Sequence, residues 1–374
     1  MYNGVPVEIP VLRPRLPTAD KLAPWLQAID ASRYYSNFGP LTQELERKIA
    51  ARVGADEKGV VTVSNGTVAL QLALNAEGIE PGDKTLCLMP SWTFIATACA
   101  AWQAGMIPYF VDVDPRTWAL DPDAVISEII GAPGRVGAVM VVAPFGSPVD
   151  PDRWLQVREQ MGRPVVIDAA AGFDSTRAGA LATMVSLHAT KGLGVGEGGV
   201  IASTDADLVR RIRSLTVFGF SDDRISLLRG TNAKLSEYAA AVGLASLDEW
   251  EENRAEYARM KAVWAEALRA LPGVELAPGS AGPHESTTFN VLLPGPWAAS
   301  VKASLASEGI DSRQWWGLGC HTHPAFAGCP RGPLPVTERL AASSLGLPFY
   351  LGLRDDQIHR IVGALGRALE RAAG

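Results

Sequence analysis

The sequence predicts an α/β fold, in which a mostly parallel seven-stranded sheet carries helices on both faces and a smaller α+β C-terminal domain follows. Three observations support this. Short β-branched runs alternate with helical or Gly/Pro-rich segments as far as residue 202. Most of these runs are continuously apolar, which is typical of strands covered on both faces. From about residue 239 the pattern changes, which predicts a large domain at 1–240 and a small domain at 241–374.

Hydrophobic spacing predicts the individual elements. The first amphipathic helix is expected at Pro40–Val53, where apolar residues recur every fourth position. The seven strands are expected at 60–63, 85–89, 108–113, 138–143, 164–167, 184–187 and 199–202. In the smaller domain we expect a long helix at 246–271, a strand at 288–293 and a closing amphipathic helix after Asp355. Because the sheet is mostly parallel, its ligand is expected at the carboxyl ends of the strands.

The composition excludes several classes of protein. The chain has 374 residues, 47% of them hydrophobic, and a formal net charge of -6 with no run of Lys or Arg longer than a pair. Nucleic acids and anionic membranes require a concentrated basic surface, so we expect neither as a partner. Residues 1–15 lack the order of a secretory signal, and no apolar stretch approaches the ~20 residues of a membrane span. Four cysteines in such a long chain do not indicate a disulfide framework, and we expect a soluble cytoplasmic protein.

The segment at 60–67 has the order strand, tight turn, helix. Its turn presents backbone N–H groups and the hydroxyls of Ser64 and Thr67 to the positive end of a helix dipole, which favours phosphate binding. An ordinary helix N-cap explains the same residues.

Asp168 directly follows the apolar run at 164–167, at the end of a predicted strand. A buried acid is unfavourable without a cationic or hydrogen-bonding partner, and a protonated pyridine nitrogen would be such a partner. The alternative is again a helix N-cap.

Lys191 follows another predicted strand and enters a glycine-dense loop, where the backbone can approach a ligand closely. Desolvation there would lower its pKa and free the amine for Schiff-base chemistry, whereas most lysines are simply solvated. The same loop contains G-x-G-x-x-G at 194–199. That pattern should open a helix in dinucleotide-binding folds, but here it leads into a predicted strand, which argues against a dehydrogenase.

Together these motifs resemble the StrS/DegT-type sugar aminotransferases, a family of fold type I pyridoxal-phosphate enzymes with an aspartate-aminotransferase-like large domain. The resemblance covers nearly the whole chain. It extends to the segments at 36–40 (SNFGP), 90–97 (PSWTFIAT), 110–114 (FVDVD) and 230–237 (GTNAKLSE), in this order and spacing.

The resemblance implies a role for each matching residue. Lys191 would form the Schiff base with pyridoxal 5'-phosphate, and Asp168 would pair with the pyridine nitrogen. Asn232 would reach the phosphate of a neighbouring subunit, so the implied unit is a homodimer with shared active sites. The remaining cofactor contacts would come from Gly66, Thr67 and Ser186 on the phosphate and from Phe94 stacked on the ring, with Trp92 as the alternative.

The resemblance also places Arg313, His321 and Asn37 on the substrate side. It implies L-glutamate as amino donor and a nucleotide-linked ketosugar as acceptor, with a 4-keto-6-deoxy sugar preferred. The segment around His321 allows other interpretations, namely a loop packed on the core or a metal site. Adjacent ligands such as Cys320 and His321 fit zinc spacing poorly, so no metal is expected.

Two positions depart from the family pattern. Ala171 stands where a Gln or His usually approaches the phenolic oxygen of the cofactor, and Lys234 stands where Arg is common. His188 is a candidate to compensate for Ala171. The open alternatives are amination of another ketone such as a cyclitol, a family dehydratase, which Lys191 argues against, and a non-catalytic binding protein that retains the fold.

Overall fold

The computed structural model describes residues 6–79, 85–220 and 224–374. A seven-stranded sheet with the spatial order β1-β7-β6-β5-β4-β2-β3 forms its centre. The strands are β1 (Val60–Val63), β2 (Leu86–Pro90), β3 (Ile107–Val111), β4 (Val136–Val142), β5 (Val165–Asp168), β6 (Ala182–Ser186) and β7 (Gly199–Ala202). Only β7 runs against its neighbours, so the prediction of a mostly parallel sheet is confirmed.

Helices cover both faces of this sheet. They are α1 (Ala19–Ser32), α2 (Pro40–Val53), α3 (Gly66–Ala76), α4 (Ile95–Gln103), α5 (Val125–Ile130), α6 (Pro151–Met161), α7 (Ala206–Leu215) and α8 (Glu237–Asp248). Side chains of β4 alternate between two buried clusters. Val139 and Val141 pack with α2, α6 and α8, whereas Met140 packs with α3, α4 and α7. Two-sided burial explains why the strands are continuously apolar.

Helix α2 has the predicted bounds because its ends are marked locally. Gly39 is the N-cap, Pro40 occupies the first helical position, and Gly54 ends the helix with a left-handed φ of 74°. A distant residue completes this helix, since the buried carboxylate of Glu237 accepts hydrogen bonds from the backbone N–H groups of Leu41 (2.8 Å) and Thr42 (2.9 Å).

The prediction that α2 is the first helix is wrong, because α1 precedes it. Helix α1 contains Pro24, a residue that removes a backbone donor, and Ile29 is its one fully buried side chain. Few of its side chains are buried, and it packs against α8.

A second layer is built around a small antiparallel sheet with the order β10-β9-β8, formed by β8 (Glu275–Leu276), β9 (Phe289–Leu292) and β10 (Ser344–Leu347). Its helices are α9 (Trp250–Leu268), α10 (Pro278–Ala281), α11 (Ala298–Ser307), α12 (Pro335–Ser343) and α13 (Asp355–Ala373). The predicted long helix at 246–271 is interrupted at Glu249, between α8 and α9.

The N-terminal segment joins this second layer. Ile9 forms a parallel bridge with Ile310, and the carbonyl of Val11 accepts a hydrogen bond from the N–H of Phe349 (3.1 Å). From there the chain crosses to α1. The domain division at residues 240 and 241 stays a prediction. In the described part of the chain, no helix is long and apolar enough to span a membrane.

Candidate active site

The topology brings the predicted motifs to one edge of the large sheet. Strands β1, β2, β5 and β6 share one direction, so their carboxyl ends lie together. Strand β7 runs the other way, and the loop from β6 to β7 therefore lies at the same edge. Ligands of open α/β sheets bind at this edge.

Asp168, the last residue of β5, is a buried carboxylate with only 5% of its surface exposed. Its Oδ2 accepts a hydrogen bond from the Thr97 hydroxyl (2.8 Å), and its Oδ1 accepts one from the N–H of Ala170 (3.1 Å). Burial raises the pKa of Asp168, while these hydrogen bonds and the charge of Lys191 act in the opposite direction. A cationic N–H group would favour the ionised form.

Lys191 lies in the loop between β6 and β7. The backbone of this loop is held from behind, because the Thr287 hydroxyl donates to the carbonyl of Thr190 (2.7 Å). A side chain at Gly192 would come within 3.3 Å of the Trp250 ring, so the loop fits closely against this ring. Burial lowers the pKa of Lys191, and the charge of Asp168 opposes that shift. The result is an amine closer to its neutral, nucleophilic form.

The beginning of α3 is the segment for which the sequence predicts a phosphate-binding site. Asn65 caps this helix, since its Oδ1 accepts a hydrogen bond from the N–H of Val68 (2.9 Å). A Cβ atom at Gly66 would lie 3.4 Å from the Cβ of Ser186, so the helix start and the end of β6 are in close approach. Thr67 is the second residue of the helix. The positive end of the α3 dipole therefore lies beside Ser186, at the end of β6, where an anion is favoured.

The structure distinguishes the two candidate stacking residues. Phe94 precedes α4 and is 56% exposed. Trp92 is 1% exposed and packs edge-on against Trp118 (ring centroids 6.4 Å apart) and Trp316 (5.3 Å). This placement favours Phe94 as the residue that stacks on a ring and gives Trp92 a packing role.

The predicted substrate-side residues have different surroundings. His321 is buried, and its Nδ1 lies 2.7 Å from the hydroxyl of Ser91. Burial and the nearby charge of Arg331 lower the pKa of His321, which favours the neutral ring. Arg313 and Asn37 are exposed. Within the described residues, neither Arg313 nor Asn37 is hydrogen-bonded to the side chain of Asp168 or Lys191.

Asn232 is exposed on the segment after α7. Its Oδ1 accepts a hydrogen bond from Lys234 Nζ (2.6 Å), and this ammonium group also lies 5.5 Å from the centre of the Phe218 ring. The predicted role of Asn232 at a neighbouring subunit requires a second copy of the chain and stays a prediction.

His188, the candidate to compensate for Ala171, forms its hydrogen bonds within its own loop. Its Nδ1 accepts a hydrogen bond from the N–H of Thr190 (3.2 Å) and lies 2.8 Å from the hydroxyl of the same residue. The ring is thus engaged within its own loop, and His188 Nε2 lies 3.7 Å from Glu197.

The metal interpretation of the segment around His321 finds no support. The thiol of Cys320 donates to the carbonyl of Thr93 (3.3 Å), and His321 pairs with Ser91. Across the described residues, no group of three or more His, Cys, Asp or Glu side chains is arranged to hold a metal ion.

Sequence reasoning missed Thr97 and Ser91, the residues that hold Asp168 and His321. Thr97 lies four residues after Thr93, and their hydroxyls are 2.8 Å apart. Because the Thr97 hydrogen points to Asp168, Thr93 is the donor in this pair. Thr93 precedes α4 and Thr97 lies in its first turn, and the partner acid of Thr97 is 71 residues away in sequence.

Comparison with known proteins now identifies the family. Residues 19–366 match the DegT/DnrJ/EryC1/StrS aminotransferase family. The chain belongs to this family. The predicted resemblance is therefore confirmed, as are an aminotransferase activity and pyridoxal phosphate as the cofactor.

Individual relatives align over most of the chain. The dTDP-3-amino-3,4,6-trideoxy-alpha-D-glucose transaminase of Streptomyces venezuelae is 32% identical over 92% of this chain and 91% of its own length. The GDP-perosamine synthase of Caulobacter vibrioides is 31% identical over 92% of this chain and 94% of its own. The crystal structure of DesI in the presence of its TDP-sugar product is 36% identical, covers 98% of this chain and 95% of that one, and superimposes with a TM-score of 0.86.

The residues at the sheet edge fit this cofactor. Gly66 leaves the space that a Cβ would fill beside Ser186, which suits a bound phosphate. Asp168 supplies a buried anion for a cationic ring nitrogen, and Lys191 supplies an amine with a lowered pKa.

Proposed function

We propose that this enzyme transfers an amino group from L-glutamate to the keto group of a nucleotide-linked sugar, with a 4-keto-6-deoxy sugar as the preferred acceptor. The observation that carries the chemistry is the placement of a half-buried lysine, Lys191, and a buried carboxylate, Asp168, at the carboxyl edge of the sheet. The acceptor class is supported by relatives named for dTDP-, GDP- and UDP-linked sugars.

Some side chains of the site bind the cofactor, and others transfer or hold a proton. When bound, pyridoxal phosphate supplies an aldehyde for covalent attachment to an amine and an electron-withdrawing ring. Lys191 would hold the cofactor through its amine and, once released, would accept a proton from the α-carbon of the donor at its Nζ. Asp168 keeps a proton on the ring nitrogen. Ser186 and the first N–H groups of α3 would hold the phosphate, and Phe94 would stack on the ring.

We further propose that the active unit is a homodimer with shared active sites, in which Asn232 contacts the cofactor phosphate of the partner. The segment between α7 and α8 exposes large apolar side chains, which is unusual for a free surface. These are Phe218, Phe220, Ile225, Leu227 and Leu228. The mass in solution, measured by light scattering, tests the dimer. A monomer would contradict the proposed homodimer. The cofactor affinity of Asn232→Ala tests the shared active site, and an unchanged affinity would contradict it.

A cytoplasmic location is also proposed. The four cysteines are all free, two of them buried, as expected in a reducing compartment. Cell fractionation would test this location, and recovery of the protein outside the cytoplasm would contradict it.

Mass spectrometry of products tests the proposed reaction. The holoenzyme would be incubated with L-glutamate and a panel of keto acceptors that contains dTDP-, GDP- and UDP-linked ketosugars and a ketocyclitol. We expect an amino sugar and 2-oxoglutarate in equal amounts. Amination of the cyclitol alone would overturn the sugar assignment. Borohydride trapping followed by peptide mapping tests Lys191, because a holoenzyme without a label on this residue cannot use it as proposed.

A further inference from the structure

The loop that carries Lys191 is hydrogen-bonded on both sides of one peptide group, the group that joins Thr190 to Lys191. Its carbonyl accepts a hydrogen bond from the Thr287 hydroxyl (2.7 Å). Its N–H donates to the carbonyl of His188 (2.8 Å). Because a peptide group is planar, the two bonds fix its orientation and the position of the Cα atom from which the lysine side chain extends.

The hydrogen bond from Thr287 differs from the other because it comes from outside the loop. His188 precedes Lys191 by three residues in the same turn, whereas Thr287 lies just before β9 in the second layer. Thr287 is only 7% exposed, so water does not readily replace its hydroxyl as a partner of the Thr190 carbonyl. Thr287 therefore connects the second layer directly to the peptide group before the lysine.

A cluster of charged side chains fixes the segment from which Thr287 extends. The carboxylate of Asp174, whose side chain is 3% exposed, accepts a hydrogen bond from the N–H of Glu285 (2.9 Å). Asp174 also pairs with Arg52 of α2 (2.8 Å) and with Arg254 of α9 (2.9 Å). Burial acts to raise the pKa of Asp174, but the hydrogen bonds from Arg254 and from the Glu285 N–H keep it below its ordinary value. An ionised carboxylate therefore ties this segment to a helix of each layer.

The same cluster supports a contact on the other side of Lys191. The guanidinium of Arg52 lies 5.2 Å from the centre of the Trp250 ring. This ring is buried and packs closely on Gly192. Lys191 thus stands between a hydrogen bond at the preceding residue and a ring contact at the following one, and both contacts are anchored outside the loop.

We infer that Thr287 is a positioning residue for Lys191, because its hydroxyl orients the peptide group from which the lysine extends. The inference rests on the proposed function, in which the Lys191 amine reacts with the cofactor, and extends it to a residue of the second layer. Lysine has a flexible four-carbon stem, so a fixed backbone position reduces the number of places that the amine can reach. Small misplacements of a reacting group cost rate, which makes this restriction useful.

Two variants of Thr287 and one control separate positioning from stability. Thr287→Val keeps the shape of the side chain and removes the donor, whereas Thr287→Ser keeps the hydroxyl. Ser203→Ala is the matched control, because the buried Ser203 hydroxyl also donates to a backbone carbonyl, that of Ala180 (3.0 Å), but at the opposite edge of the sheet. Thermal unfolding followed by circular dichroism would measure the stability of each protein.

Two measurements on the apoprotein report on the loop and the amine without the cofactor. Hydrogen exchange followed by mass spectrometry would give the exchange rate in a peptide that covers residues 188–194. Labelling with acetic anhydride over a range of pH, followed by peptide mapping, would give the titration midpoint of the Lys191 amine. A third measurement, the absorbance change after addition of pyridoxal phosphate, would give the rate at which the apoprotein binds the cofactor.

We expect Thr287→Val to raise the exchange rate of the loop and to slow cofactor binding by about three- to tenfold. The midpoint of Lys191 should move towards the ordinary lysine pKa, because a looser loop lets water reach an amine whose pKa burial lowers. Thr287→Ser should behave nearly as the wild type in all three measurements. Ser203→Ala should lose stability without changing any of them.

A wild-type midpoint and binding rate in Thr287→Val would overturn the inference, even if exchange of the loop became faster. Equal changes in Ser203→Ala would also overturn it, because they would follow from lost stability alone. The proposed function fails separately if borohydride treatment of the wild-type holoenzyme leaves no label on Lys191. Hydrogen exchange and acetylation would then still decide whether Thr287 positions this lysine.

Discussion

Replacement of Thr97 by valine tests how Asp168 is held. The Thr97 side chain is fully buried, and its hydroxyl donates to Asp168 Oδ2 at 2.8 Å. Valine has nearly the same shape but no donor, so the change removes one hydrogen bond to a charged group. Such bonds contribute about 1.5–3 kcal/mol, and their loss leaves the carboxylate less satisfied. We expect the affinity for pyridoxal phosphate to fall about 10- to 100-fold, since 1.4 kcal/mol corresponds to about tenfold.

The pH dependence of this effect has a definite sign. The Thr97 hydroxyl favours the ionised form of Asp168 and so lowers its pKa against the raising effect of burial. Its contribution is present where the carboxylate is ionised and is lost as the pH falls and the group becomes protonated. The difference in cofactor affinity between wild type and Thr97→Val should therefore be largest at neutral pH and shrink on acidification.

Absorbance titration of the apoprotein with pyridoxal phosphate would measure these affinities. Thr97→Ser retains the hydroxyl and should bind almost as the wild type. Thr93→Val removes a donor that reaches only the Thr97 hydroxyl, so a smaller loss is expected. If Thr97→Val binds the cofactor as tightly as the wild type at neutral pH, the hydrogen bond does not hold Asp168 in the way described.

Three further predictions concern the same pair. Lys191→Ala should lower turnover by about 10²–10⁴-fold or more because proton transfer is lost, while circular dichroism shows an intact fold. The exposed Lys21→Ala is the control. Near-normal turnover of Lys191→Ala, or an equal loss in Lys21→Ala, would refute this role. Asp168→Asn keeps the shape but removes the buried charge, so cofactor affinity should fall at least about tenfold in the same titration; unchanged affinity would exclude the pairing. Since burial lowers the pKa of Lys191, the rate at which the apoprotein binds the cofactor should rise with pH and level off below the ordinary lysine pKa of about 10.4. A midpoint of this pH profile at or above that value would contradict the lowered pKa.

The sequence predicted those elements that depend on local end signals or on burial of a strand on both faces. Strands β1 and β7 have the predicted bounds, and the other five differ by a few residues at their ends, because burial on both faces requires a continuously apolar run. Helix α2 has the predicted bounds because Gly39, Pro40 and Gly54 mark its ends. Helix α1 was missed since its stability depends on α8, more than 200 residues further along the chain.

The candidate site divides in the same way. Residue type and order alone indicated Lys191, Asp168 and the start of α3, because an amine, a buried acid and a helix N-terminus have chemistry of their own. Only the tertiary structure decided that Thr97 donates to Asp168 and that Ser91 pairs with His321. The sequence around a side chain does not identify its partner. Hydrogen bonds and charge pairs between distant residues are decided only when strands and loops pack together.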